Sequence, residues 1–401
     1  MNTQAMRDAQ ARALVQLEHL VASFGAQFPD DTTRGRVYAL RRAPGSIAGA
    51  NVGWTTGFWT GMGWLAYELS GRFVFRQWAQ SHYASFARRM GLKHDLDHHD
   101  MGFLYGPSSL AAYRITGDPR DGALVLHAAD VLLGRFLPRA GVFQAWGRMG
   151  EDNARRDRNR IIIDTLMNLP LLHWAGRQTG DARYGDAACR HLARTLELLV
   201  RADGSSAHSS HIDPLTGAQL AQSTVQGHAA DSCWARGQAW GIYGFALNHR
   251  FAPDMGLLDA AQRMADYLLA HMPDDGVCQW DLALARDGSV QRDSSASAIA
   301  VCGLLELAQQ MPDGARRTRY EQAAAHMLDG LVRTCTAPPA PGAGLLQHGV
   351  YSLPEGRGVD EANLWGDYYF LEALARVNMG WTSYWHSGRE ASGQAMPALR
   401  A

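Results

Sequence analysis

Two aspartates stand in unusual company in this chain. Asp164 lies in Arg160-Ile161-Ile162-Ile163-Asp164-Thr165-Leu166, an ionisable group inside a strongly apolar run. Burial raises a carboxyl pKa, so this residue is a candidate general acid that keeps its proton near neutral pH. Asp100 closes the polar run His94-Asp95-Leu96-Asp97-His98-His99-Asp100. Histidine and aspartate are metal-ligand types, but consecutive ligands in one short run are poorly spaced for a tetrahedral site. A satisfied helix N-cap is the plainer reading of either acid. The functional reading makes them a pair of catalytic carboxyl groups.

A third group adds recognition chemistry. Gln226 is followed by Asp231-Ser232-Cys233-Trp234-Ala235-Arg236-Gly237-Gln238-Ala239-Trp240. Tryptophan faces stack on sugar rings, and an arginine fork pairs with a carboxylate. Trp240, at helical spacing, reads more naturally as core. Trp54 precedes its helix and is the stacking candidate of its region, whereas Trp59 and Trp64 read as core. His82, His191, His271 and His326 fall on helix bodies and read as structural.

The elements that must position these residues come from a weak internal repeat. Apolar periodicity of 3.6 marks helices over 4–24, 55–70, 72–90, 101–116, 120–136, 162–178, 181–202, 233–250, 254–272, 293–311, 315–335 and 361–379. Short turns join them in pairs, at Ser70-Gly71, Thr116-Gly117-Asp118, Thr179-Gly180-Asp181, Ala252-Pro253-Asp254 and Met311-Pro312-Asp313. Gly, Pro and Asp there stop one helix and cap the next. The first and last helices are left over and can pair with each other. The expected fold is therefore all-α, an (α/α)6 toroid, because an open stack would leave terminal apolar faces exposed. The expected domain is single, 1–401, with an irregular tail after about 380. Long connections between pairs collect at one rim, together with the start of each inner helix. Six helix N-termini directed at one cavity would favour an anionic ligand. Part of 203–232 reads as a short hairpin.

Composition narrows the function. Net charge is −1, with 38 basic and 39 acidic residues, so the chain lacks the basic footprint of a nucleic-acid binder. No run of about 18 apolar residues spans a membrane. Five cysteines without a Cys-x-x-Cys pattern fit a reduced, cytoplasmic protein. Residues 14–24 read as helix rather than leader, since Glu18 and His19 interrupt them. No phosphate loop and no Gly-x-Ser-x-Gly elbow is present, and no cofactor or metal is expected.

Taken together, the segments from Trp54 to Glu68, His98-His99-Asp100-x-Gly-Phe, Ile161–Leu172, Asp231–Tyr243, and His348-Gly-Val-Tyr with Gly358-Val-Asp-Glu and Trp365-Gly-Asp-Tyr resemble glycoside hydrolase family 88, the unsaturated glucuronyl hydrolases. The resemblance runs from about 35 to 380. It implies the six-hairpin toroid and an unsaturated uronic acid oligosaccharide, with a disaccharide expected, as partner. It also implies hydration of the C4=C5 vinyl ether rather than attack at the anomeric carbon. The family's proton donor and water activator falls on Asp164 and its second carboxylate on Asp100. Its substrate-binding positions fall on Trp54, His99, His208, Gln226, Trp234 and Arg236, with Trp146 a further candidate. The run Ser352-Leu353-Pro354-Glu355-Gly356-Arg357 departs from the Ser-x-x-Ser-x-Lys of members adapted to sulfated substrates. Glu355 repels a sulfate, so unsulfated substrates are expected. The rivals are an unsaturated rhamnogalacturonyl hydrolase acting on pectin fragments and, on the same fold, a sugar epimerase relying on histidine bases.

Overall fold

The computed structural model describes residues 3–149, 159–286 and 288–386. Helix α1 (Thr3–Phe24) leads into α2 (Thr56–Ser70), which is answered by α3 (Phe73–Ser81) and α4 (Tyr83–Gly91). A rod made of α5 (Met101–Tyr105), a π-helical turn (Gly106–Leu110) and α6 (Ala111–Thr116) returns through α7 (Pro119–Leu133). A 3-10 turn (Ile163–Met167) and α8 (Pro170–Thr179) return through α9 (Ala182–Leu199). Then α10 (Ala235–His249) pairs with α11 (Leu257–Ala270), α12 (Ser294–Gln309) with α13 (Ala315–Thr334), and α14 (Leu364–Met379) follows.

Two layers result. The inner ring consists of α2, the α5–α6 rod, the 3-10 turn with α8, α10, α12 and α14. Helix α2 packs on both the rod and α14, α12 packs on α14 and α10, α10 packs on the 3-10 turn, and α8 meets α5 of the rod, so the ring closes. Helix α1 lies against α13 and α14, the pairing of first and last helices read from the sequence. The inner helices are buried nearly all round, as α10, α12 and α14 illustrate. Outer helices bury one stripe, such as Tyr184, Ala187, Ala188, His191 and Leu192 on α9. That contrast is what a helix enclosed by others and a helix facing water require. Glycines let inner helices touch: a Cβ on Gly57 of α2 would lie 2.1 Å from the carbonyl oxygen of Phe103.

The short turns behave as their sequences dictate. Gly117 and Gly180 end α6 and α8 at φ of 74° and 73°, a region glycine enters without steric cost. Asp118 and Asp181 then cap α7 and α9 through the backbone N–H of Arg120 and Arg183. Residues 381–386 cross this turn-bearing end of the ring. Trp381 Nε1 and Tyr384 Oη donate to Glu68 at 2.7 and 2.6 Å, Arg114 Nε donates to the Tyr384 carbonyl, and His386 Nε2 is 3.0 Å from Glu306 Oε1.

Several helix bounds differ from expectation. The helix expected over 72–90 is two, broken at His82, whose buried ring turns inward to Thr60 Oγ1 at 2.9 Å. The helix expected over 101–116 carries the π turn at Pro107, which has no N–H to give. The helix expected from 162 starts as strand and 3-10 turn, and that expected from 361 starts at Leu364, after a strand and an Asn363 cap on Gly366 N.

The strands all lie in the long connections. Strands β1 (Phe136–Leu137) and β2 (Val142–Phe143) pair antiparallel. Strands β3 (Arg160–Ile162), β4 (Ser209–Ile212) and β5 (Gln219–Ser223) form one antiparallel sheet, with Ile161 opposite Ser210 and Ser210 opposite Gln222. The hairpin expected in 203–232 is thus β4–β5. Strands β6 (Gly349–Ser352) and β7 (Arg357–Glu361) make a second hairpin. No described helix is long and apolar enough to cross a membrane.

Candidate active site

Strand β3 sets the position of Asp164. Residues two apart in a strand share a face, and Arg160 and Ile162 line a cavity at the loop-bearing rim while Ile161 is buried in the core. The chain then tightens into the 3-10 turn, which brings Asp164 to the same cavity and leaves Thr165 fully buried behind it. Asp100 arrives from the other side. His99 N donates to the Ala145 carbonyl at 2.9 Å, fixing the approach to α5. Asn168 ties the two segments together: its Oδ1 accepts from Phe103 N at 2.8 Å and its Nδ2 donates to the Asp164 carbonyl at 3.3 Å.

The two acids meet around one histidine. His99 Nε2 is 3.5 Å from Asp100 Oδ1 and 3.6 Å from Asp164 Oδ1, and one oxygen of each carboxyl and a His99 nitrogen all lie within 4.8 Å of one another. Neither carboxyl is a structural cap. Asp100 stands at the start of α5 without capping it, and Asp164 Oδ1 has no hydrogen-bond partner. Asp293, by contrast, caps α12 through Ser295 N.

Electrostatics separate the pair. Asp164 is pushed up to about 8, first by burial and then by the charge of Asp100. Asp100 goes the other way. Burial works to raise it, but His99, the His98 contact at 3.0 Å and the buried Arg135 outweigh burial and hold it below the usual carboxylate range. Burial lowers His99 to about 4, so its ring is neutral. One carboxyl that keeps its proton beside one that does not is an acid–base pair. The trio His99, Asp100 and Asp164 is also the one described group of metal-ligand types gathered around a common point. A cation at that point would have to displace the proton that burial keeps on Asp164.

The cavity holds about 220 Å³ and collects the residues read from the sequence. Trp54 lines it with its ring stacked on Trp365 at 5.1 Å and its Nε1 donating to Tyr351 Oη at 2.9 Å. His208 and Trp234 line it in mutual contact at 4.3 Å, and His208 Nδ1 lies 2.8 Å from Thr224 Oγ1. His208 lines the cavity, whereas the His211 ring turns to Ser223 Oγ. Trp146 lies on the wall, stacked on His98 at 5.1 Å. Trp240, read as core, is buried yet forms part of the floor against Phe103. His99 sits behind the wall, bridging the acids, rather than on it as a substrate contact.

Arg236 lines the cavity but is already engaged. Nη1 donates to Asp293 Oδ2 at 3.0 Å and to the Val350 carbonyl; Nη2 donates to Gln226 Oε1 at 3.1 Å and to the Tyr351 carbonyl at 2.7 Å. Its plane lies between the rings of Trp234 and Trp365. The carboxylate that pairs with this arginine is therefore Asp293. Arg236 orients Gln226 and holds the wall, and both it and Arg160, which also lines the cavity, act by their charge on Asp164. The β6–β7 hairpin supplies Tyr351, Glu355 and Arg357 to the rim. Arg357 is tied to Asp31 at 2.7 Å and lies over Tyr351 at 3.8 Å.

The sequence reading missed Arg160, Thr165, Asn168 and Tyr351 as site residues. Arg160 was detectable: a lone cation opening an apolar run that ends in an acid. Thr165 and Asn168 carry no sequence signal, because their roles come from contacts made across the ring.

The sequence profile of Glycosyl Hydrolase Family 88 matches residues 31–379. The chain is 43% identical to an unsaturated glucuronyl hydrolase of Bacillus sp. (strain GL1), over 90% of this chain and 94% of the relative. The chain belongs to glycosyl hydrolase family 88. Within this family it is also 43% identical to an unsaturated chondroitin disaccharide hydrolase of Streptococcus pyogenes serotype M1, over 93% of this chain and 91% of the relative. Its fold superposes on the crystal structure of the Bacillus sp. GL1 unsaturated glucuronyl hydrolase with a TM-score of 0.89 at 41% identity, covering 95% of this chain and 99% of that one. A mutant of the Streptococcus agalactiae unsaturated glucuronyl hydrolase complexed with dGlcA-GalNAc6S superposes with a TM-score of 0.82 at 37% identity, covering 96% and 94%. The (α/α)6 toroid is thus the family-88 fold.

Proposed function

We propose that this protein, as a single catalytic domain, releases 4,5-unsaturated glucuronic acid from the non-reducing end of lyase-generated oligosaccharides, with Asp164 as proton donor and water activator. The observation that carries the proposal is the meeting of Asp100 and Asp164 around His99 at the cavity, with Asp164 raised to about 8. Protonating a vinyl ether needs an acid that is neutral at working pH. Asp164 gives its proton to C4, and positive charge develops at C5 and the ring oxygen. The ionised Asp100 stabilises that charge. Asp164, now a carboxylate, takes a proton from the water that adds at C5. The resulting hemiketal opens and the aglycone leaves.

Family membership and the names of the relatives support this reading over pectin fragments and over epimerisation. Trp54, Trp146 and Trp234 offer stacking faces, and His208 and Gln226 offer polar contacts to the sugar. Arg160 and Arg236 both line the cavity beside Asp164, and their positive charge favours the uronate carboxylate. Glu355 at the rim favours an unsulfated aglycone, since like charges repel across a small cavity. Five free cysteines, four of them buried, agree with a cytoplasmic location.

The direct test is an unsaturated disaccharide incubated with the protein while the ultraviolet absorbance of its conjugated double bond is followed. Loss of absorbance with release of the reducing-end sugar supports the reading. Turnover that leaves the double bond intact overturns it.

A further inference from the structure

We propose that Thr165 is a positioning residue that fixes the tautomer of His99, so that a single imidazole N–H faces both catalytic carboxyl groups. The inference rests on the assignment of Asp164 and Asp100 as the reacting pair.

Thr165 is fully buried, and its Oγ1 lies 2.6 Å from His99 Nδ1. A buried hydroxyl that donates to nothing is costly, and the partner on hand for this one is that nitrogen. If the hydroxyl donates, Nδ1 accepts, and a neutral ring must carry its hydrogen on Nε2. Nε2 is the atom 3.5 Å from Asp100 Oδ1 and 3.6 Å from Asp164 Oδ1. Burial lowers His99 to about 4, so the ring has one hydrogen to place. The opposite tautomer would leave the threonine hydrogen without an acceptor and turn a lone pair toward two carboxyl groups. The charged and titratable groups acting on the ring are Asp100, His98, Arg135, Arg160 and the buried His191 of α9, with Asp164 across the gap.

The arrangement has a consequence for turnover. Before the reaction Nε2 lies 3.5 Å from the ionised Asp100, and its N–H acts on that charge through space, without a hydrogen bond to either acid. When Asp164 gives up its proton, two carboxylates face each other, and the same N–H is equidistant from both. It offsets the charge that appears on Asp164 without moving any heavy atom far. Thr165 thereby acts through His99 on the second half of the cycle, when Asp164 must work as a base.

The test uses the full chain labelled with 15N-histidine, the His99 signals being assigned with His99→Gln. The expected spectrum has a non-protonated Nδ1 and a protonated Nε2 in the wild-type protein. Thr165→Ser keeps that spectrum and a kcat within about twofold. Thr165→Val lowers kcat about tenfold with little change in KM, and moves the basic limb of the kcat profile to higher pH. A protonated Nδ1 in the wild-type protein overturns the proposal, as does a Thr165→Val variant with wild-type kcat and pH profile. If Thr165→Val does not fold, the wild-type spectrum alone decides. Turnover by Asp164→Asn would instead remove the assignment of the acid, whatever the tautomer.

Discussion

Asp100 Oδ1 and Asp164 Oδ1 approach the same atom, His99 Nε2, at 3.5 and 3.6 Å. The two residues enter the site from different hairpins and share no backbone hydrogen bond, so their relation is set by the ring of inner helices and by the Asn168 tie. Because the carboxyl groups are close and unequally solvated, they titrate as a pair driven apart.

The first expected outcome concerns Asp164 alone. Its raised value, about 8, means that the acid form is populated through neutrality, so kcat/KM falls as pH rises through that value. Stability follows the same sign. The folded state binds this proton more tightly than the unfolded chain, so the contribution is full below about 4 and is lost as pH climbs toward 8. Asp164→Asn should lose about a hundred- to ten-thousandfold in kcat. It should also melt higher than the wild type at pH 8, by calorimetry, because no buried charge forms. A variant both active and no more stable would contradict the assignment.

Asp100 contributes through its charge. Its negative charge is one of the causes that raise Asp164. Asp100→Asn should therefore move the basic limb of the rate profile to lower pH as well as reduce kcat. A pH–rate series on the variant checks it, and an unmoved limb would separate the two residues electrostatically.

Arg236 and Asp293 form an ion pair with side chains 1% and 0% exposed. Removing one member leaves the other charged in a dry site, which costs about 3–5 kcal/mol. Asp293→Ala should thus fall in denaturant midpoint and raise KM, as Gln226 loses its fixed partner. An Asp293→Ala protein of unchanged stability would show that water replaces the carboxylate.

Selectivity against sulfate is expected to reside in Glu355. The wild-type protein should turn over an unsulfated chondroitin disaccharide with a higher kcat/KM than its 6-sulfated analogue. Glu355→Ser should narrow that ratio by about tenfold, a change of one charge–charge contact in a partly solvated site. A wild-type preference for the sulfated sugar would reverse the expectation.

Much of this molecule is legible in its sequence, and the reasons are local. Gly117-Asp118 and Gly180-Asp181 specify a stop and a cap within adjacent residues, so hairpin ends can be placed from sequence alone. The start of the Asp164 segment could not be placed in this way. Ile161-Ile162-Ile163 is apolar without period, and such a run suits a strand or a buried helix equally. Its pairing with Ser209–His211 decides for the strand. Asp100 and Asp164 stood out because their residue type conflicts with their surroundings. The ion pair of Arg236 with Asp293 was not legible, because Asp293 is distant in sequence and only the packing of α10 beside α12 brings the two together.

The strap of residues 381–386 gives the ring a floor. Anchored to Glu68, Arg114 and Glu306, it ties together the ends of α2, α6 and α12. The cavity is thus closed twice, by Trp240 and Phe103 at its base and by the strap beneath them. On the proposed reading, a sugar chain would therefore reach the acids by its terminus, entering from the loop-bearing rim.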